Sequence, residues 1–140
     1  KYKIGYTQGV YDMFHIGHLN LINHAKEYCD YLIVGVNSDK LVEDYKKKRT
    51  VINEDERVTI VSNIKAVDEA IIVESLDKEE ILKKIHFDAV FIGDDWKGSP
   101  RWNATEKALA NHGVDVVYLK HTDGISSTIL RVSEENAIKE

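Results

Sequence analysis

The sequence predicts a small doubly wound α/β domain, and three observations carry that reading. Five short apolar runs rich in β-branched residues recur along the chain, at 3–7, 31–36, 70–73, 89–92 and 114–119. None alternates strictly between apolar and polar residues, which is how strands covered on both faces read. Stretches with helical spacing separate the runs, as the crossovers between parallel neighbours require. A length of 140 residues, 43% of them hydrophobic, suits one core and a single domain spanning 1–140.

Taken in order, the first run ends in a loop that leads to Leu19, Ile22, Ala25 and Tyr28, spaced as one helix face. The second run is followed by a loop over 37–52 and then by Val58, Val61, Ile64 and Ala66, a second helical stretch. Asn53 with Glu56 ahead of it, and Asp77 with Glu80 after the third run, have the form of an N-cap and its reciprocal partner. A fourth helix ends at His112-Gly113, where glycine closes the turn in the left-handed conformation, and the fifth run follows at once. The sum is a Rossmann-like parallel five-stranded sheet with helices on both faces. Ligands of such sheets sit beyond the carboxyl ends of the strands, where strand order reverses. The loops to inspect are therefore 8–18, 37–52, 74–77, 93–102 and 120–128. The single proline, Pro100, lies in one of them, and no repeat, low-complexity tract or linker interrupts the pattern.

A net charge of -5, from 19 Lys and Arg against 24 Asp and Glu, argues against a general nucleic-acid binder, which needs a basic face. No apolar run approaches the ~18 residues of a membrane span, and the first residues lack the apolar stretch of a signal peptide. A single cysteine, Cys29, excludes an internal disulfide, and no Cys/His spacing of a structural zinc site occurs. A reducing, cytoplasmic setting is expected. The chain begins at Lys1 rather than Met, so it reads as an excised domain or as a chain without its first residue, with both readings open.

The first loop, Gln8-Gly9-Val10-Tyr11-Asp12-Met13-Phe14-His15-Ile16-Gly17-His18, runs directly into a helix. A helix start offers unpaired N–H groups and a positive dipole end, which suit a phosphate, and Gly17 lets the backbone approach closely. His15 and His18 can donate to the same anion. The plainer alternative is that one imidazole caps the helix and the other is solvated. His121-Thr122-Asp123-Gly124-Ile125-Ser126-Ser127-Thr128 places three hydroxyls after a flexible glycine, a second anion cradle or an ordinary cap at Ser126.

Lys46-Lys47-Lys48-Arg49 belongs to the same edge, as a mobile lid over phosphates, a solvated charged face or a localisation tag. Arg57 and Lys65 are further cations, or ordinary surface partners of nearby acids. Gly93-Asp94-Asp95-Trp96-Lys97-Gly98 reads either as a metal or base-reading loop with Trp96 stacked on a ring, or as a turn with an aromatic lid over the core. Cys29 and Met13 read as space-filling, and His24, His86 and His112 as residues of helix surfaces or ends.

His15-Ile16-Gly17-His18 resembles the HxGH signature of nucleotidyltransferases, and Gly124-Ile125-Ser126-Ser127-Thr128 is similar to the end of the RTEGIST motif of cytidylyltransferases. Ile92-Gly93-Asp94-Asp95-Trp96 is similar to a segment of the bacterial glycerol-3-phosphate cytidylyltransferases, and the likeness extends from about Ile4 to Arg131. The resemblance implies a nucleotide site made of Gly9, Val10, His15, Ile16, Gly17, His18, Lys48, Asp94 and the eight residues from His121 to Thr128. It implies catalytic roles for His15, His18, Lys48 and Lys65, and acceptor contacts from Asp12, Lys46, Lys78 and Trp96. The implied reaction joins CTP to glycerol 3-phosphate, with Mg²⁺ on the triphosphate, in a homodimer. Phosphoethanolamine or phosphocholine as acceptor, an adenylyltransferase, and a catalytically silent nucleotide-binding module are the alternatives. Trp96 and Trp102, with Asp94 and Asp95, keep a cationic acceptor open. Two departures stand out: His121 and Lys65 occupy positions where the family has arginine, which loses the guanidinium fork.

Overall fold

The computed structural model describes residues 1–120; the expected second anion cradle, from His121 to Thr128, lies outside the described residues. Strands β1 (Tyr2–Gly9), β2 (Cys29–Asn37), β3 (Glu69–Val73), β4 (Ala89–Gly93) and β5 (Asp115–Leu119) form one sheet in the order β3-β2-β1-β4-β5. Every pairing is parallel. All five expected strands are present, each within two residues of its expected limits.

The helices are α1 (Ile16–Lys26), α2 (Asp39–Lys46), α3 (Glu54–Ser62), α4 (Lys78–Leu82) and α5 (Pro100–Ala110), with one 3₁₀ turn at Asp94–Trp96. Alternation along β2 sends Leu32, Val34 and Val36 into a core with Ile22 and Ala25 of α1 and Val61 of α3. Ile33 points the other way, into a core with Ile81 of α4 and Trp102 and Leu109 of α5. The sheet is thus covered on both faces, and only the edge strands β3 and β5 are largely half-exposed.

The caps follow the sequence. Asn53 Oδ1 accepts from the Glu56 N–H at 2.9 Å, and Asp77 Oδ1 from the N–H groups of Glu79 and Glu80. Gly113 has φ 74°, the left-handed turn expected there. Two expectations need correction. The loop assigned to 37–52 contains α2, capped by Ser38, whose Oγ accepts from the Leu41 N–H. Ile64 and Ala66 lie past the end of α3, in the turn toward β3, although both still pack against the first core.

Because β1 and β4 are neighbours while their outgoing connections leave on opposite faces, a crevice opens beyond their carboxyl ends. The loop into α1 and the 3₁₀ turn border it. No helix among the described residues is long and apolar enough to cross a membrane.

Candidate active site

The β1–α1 loop is wound tightly before it reaches the helix. Tyr11 and Met13 both hold positive φ, 55° and 48°, a conformation that costs a non-glycine residue of order 1 kcal/mol or more. The Tyr11 ring folds back over the strand end, and only glycine fits beneath it: a Cβ on Gly9 would lie 2.9 Å from that ring. Tyr11 is buried, whereas Met13 is 46% exposed and fills no space in the core, contrary to expectation.

His15 is the N-cap of α1. Its Nδ1 accepts from the Gly17 N–H at 3.1 Å, and the His15 N–H in turn donates to Nδ1 of His18 at 3.2 Å. The pair therefore closes a capping box made of two imidazoles in place of the usual hydroxyl and carboxylate. Both Nδ1 atoms are acceptors, so each neutral ring carries its proton on Nε2. The rings stack with centroids 3.8 Å apart, and His18 also meets Tyr11 and Phe14 at 5.5 and 5.3 Å. Burial, then the neighbouring His15, push the His18 pKa down to about 3. His18 is thus a fixed neutral donor, not a cation. Gly17 has a steric duty as well, since a Cβ there would come within 2.9 Å of the His15 ring. Capping uses Nδ1 of each ring, and anion binding, the other alternative in the sequence, would use Nε2.

Arg57, read in the sequence as a further cation for the site or as a surface partner of nearby acids, is fully buried and ties the carboxyl edge together. Its Nε donates to the Ile52 carbonyl at 2.8 Å, Nη1 to the carbonyls of Val10 and Asn37 at 2.7 Å each, and Nη2 to Asp39 at 2.5 Å. Burial raises the Asp39 pKa, but hydrogen bonds from Arg57, Thr50 and the Glu54 N–H outweigh it and hold the carboxylate below its ordinary range. Asp12, expected at the acceptor, uses its two carboxylate oxygens on the N–H groups of Val51 and Ile52 at 2.8 and 2.9 Å.

These bonds fix the basic run. Lys46 ends α2 with its ammonium over the Tyr45 ring, and Lys47 is the left-handed C-cap at φ 57°. Lys48 and Arg49 are exposed, and three residues follow that are pinned to Asp39 and Asp12. The run is a short bridge anchored at both ends beside the histidine loop, rather than a lid hinged at one end. Below it runs a buried polar chain that the sequence reading missed: Tyr6 Oη donates to Gln8, Gln8 Nε2 to Asn37 and to the Ser75 carbonyl, and Asn37 Nδ2 to Tyr45 Oη. Its signal was present, since Gln8 and Asn37 are amides at the ends of otherwise apolar runs.

Lys78 is 3% exposed at the start of α4; its Nζ donates to the Leu76 carbonyl at 3.0 Å and lies 5.1 Å from the centre of the buried Trp102 ring. Asp94 and Trp96 are half-buried in the 3₁₀ turn that follows β4 and packs beside β5, Trp96 lying on the second core as an aromatic lid. Lys65 does not join them. It is exposed in the turn before β3, whose first residue pairs with Ile33, level with Tyr6. The length of β3, about 13 Å, separates that turn from the carboxyl edge. Among the described residues no three acids, imidazoles or thiols converge as a metal cage. Cys29 is buried beside Ala25, and His24, His86 and His112 contact Tyr28, Asp88 and Glu79 on the periphery.

A cytidylyltransferase-like family profile matches residues 6–133. A glycerol-3-phosphate cytidylyltransferase of Bacillus spizizenii is 34% identical over 126 residues, which cover 89% of this chain and 92% of that one. An ethanolamine-phosphate cytidylyltransferase of Dictyostelium discoideum is 32% identical over 90% of this chain but only 36% of its own length. Among solved structures, a lipopolysaccharide core biosynthesis protein from Thermoplasma volcanium shares the fold, with a TM-score of 0.72, 23% identity, and coverage of 87% of this chain and 98% of that one. The family match over nearly the whole chain agrees with the loop geometry, and the chain belongs to the cytidylyltransferase-like family of nucleotidyltransferases.

Proposed function

We propose that the protein transfers a cytidylyl group from CTP to glycerol 3-phosphate, forming CDP-glycerol and releasing pyrophosphate. The observation that carries this reading is the imidazole pair of His15 and His18, each with its Nε2 protonated at the start of α1 and the pinned basic run beside it. An acceptor phosphate oxygen attacks the α-phosphorus in line and pyrophosphate leaves from the opposite side, with no covalent enzyme intermediate. Such a transfer needs positioning and charge stabilisation more than a nucleophile. Donors at the helix start serve the negative charge that grows on the phosphate oxygens. Lys46 and Lys48 add positive charge from the adjacent bridge.

Mg²⁺ belongs to this reading as the companion of the triphosphate. Most of its ligands would be phosphate oxygens and water, an arrangement this ion favours. The homodimer and the cytoplasmic location rest on the family likeness and, for the latter, on the lone Cys29. Glycerol 3-phosphate is preferred over a cationic acceptor because relatives of full matching length carry that name and because the Trp102 face already holds Lys78. The relative named for ethanolamine phosphate makes that acceptor the second reading. Pyrophosphate release, measured with CTP or ATP against glycerol 3-phosphate, phosphoethanolamine and phosphocholine, tests it: the CTP and glycerol 3-phosphate pair should give the highest kcat/KM. A higher value for phosphoethanolamine would transfer the assignment to that acceptor.

A further inference from the structure

Four side chains at the carboxyl edge make an alternating stack. The Arg101 guanidinium lies 6.0 Å from the Trp96 ring centre and 5.9 Å from that of Trp102, and Lys78 Nζ lies 5.1 Å from the same Trp102 centre. Trp102 is buried at 1% exposed, Lys78 is buried, and Arg101 reaches solvent. Two cations thus share one indole.

Indole faces attract cations, so a Trp at a binding edge suggests at first a quaternary ammonium ligand. Here Trp102 already has two of the protein's own cations. What it presents outward is positive charge, and what that charge attracts is an anion. Two acids of the adjoining α4 are committed elsewhere: Asp77 accepts from the first turn of that helix, and Glu79 pairs with His112. No carboxylate partner of Arg101 occurs among the described residues. Stacking on two rings also limits the rotamers of a long side chain, so less order is lost when its fork meets an oxyanion. Arg101 stands beside the Asp94–Trp96 turn, which follows β4 at the crevice.

We propose that Arg101, held on Trp96 and Trp102 beside Lys78, is a specificity-determining residue that binds the phosphomonoester of the acceptor. The inference rests on the transferase reading above and adds a residue to it. Arg101 selects an acceptor with a doubly charged phosphate and a small uncharged remainder, and it disfavours a cationic head group by like-charge repulsion.

The test compares wild type with Arg101→Ala, Arg101→Lys and Trp96→Leu. Steady-state rates are measured with glycerol 3-phosphate, phosphoethanolamine and phosphocholine, and binding of each acceptor and of inorganic phosphate is measured by calorimetry. Arg101→Ala should raise the KM of the acceptor used about tenfold or more, leaving kcat and the KM for CTP within about twofold. Arg101→Lys should recover only part of the loss, and Trp96→Leu should give an intermediate one by freeing the guanidinium. Preference for a phosphorylated amine by wild type would overturn the glycerol 3-phosphate reading and the selectivity claimed for Arg101. An unchanged acceptor KM in Arg101→Ala, or a rise shared equally with CTP, would overturn the proposal while leaving the transferase reading intact. Wild-type protein that binds none of the acceptors would overturn both the proposal and the transferase reading on which it rests.

Discussion

At His15 and His18 the two nitrogens of each ring are set for different jobs, one seen in the structure and one proposed. Nδ1 closes the start of α1, and Nε2 carries the donor proton. Asparagine separates the jobs because its Oδ1 can replace Nδ1 as a cap. His18→Asn should keep the fold and lower kcat about 10²–10³-fold, the usual effect of losing one such donor. The same variant should lose an acid-side stability slope. His18 is held neutral to about pH 3 when folded, while the unfolded side chain titrates near 6.5, so the unfolded state binds more protons between those values. Stability from this site is therefore complete above about pH 6.5 and falls as pH drops toward 3. Denaturant unfolding of both proteins from pH 7 to 4 measures this, and identical slopes would show that His18 is not held neutral. The sequence offered the pair either as phosphate donors or as one cap and one solvated ring, but not their tautomers, since a tautomer depends on which backbone N–H each ring meets. Arg57 was similarly opaque: neighbouring acids suggested a surface pair, yet three carbonyls from separate segments draw it inside.

At the scale of elements, α2 was hidden by its own composition. Its eight residues, DKLVEDYK, contribute only one fully buried side chain, Val42, so the apolar signal is faint. Ser38 as a cap and Asp39 in the first turn were the legible cues. The left-handed residue at its end, Lys47, was not legible, because lysine has no preference for that conformation. Lys47→Gly should stabilise the protein by about 1 kcal/mol through relief of that backbone cost. It should leave the KM for CTP and for acceptor within about twofold, while Lys46→Ala and Lys48→Ala raise one or both. Urea unfolding with steady-state kinetics on the three variants decides the matter. Equal kinetic losses in all three, vanishing together in high salt, would mean a diffuse charged surface in place of an ordered bridge.

For the molecule as a whole, strand positions followed from apolar runs, because burial on both faces writes itself into composition, and the edge proposed for the site followed from one topological rule. Which end of the sheet a residue occupies is less evident. Arg57 and Lys65 are eight positions apart, yet α3 runs from one edge toward the other, so only Arg57 stays beside the loop. That arginine joins β1, β2, α2 and the segment before α3, and Arg57→Met should cost about 3–5 kcal/mol in urea unfolding by stranding Asp39 and the three carbonyls. A loss under about 1 kcal/mol would mean that the joint is dispensable. The central claim is direct transfer with no covalent enzyme intermediate, and a rapid-quench measurement of pyrophosphate and nucleotide products tests it most directly. CTP alone should give no burst of pyrophosphate, and adding glycerol 3-phosphate should release pyrophosphate and CDP-glycerol one for one. A burst stoichiometric with enzyme before any acceptor is added would contradict it.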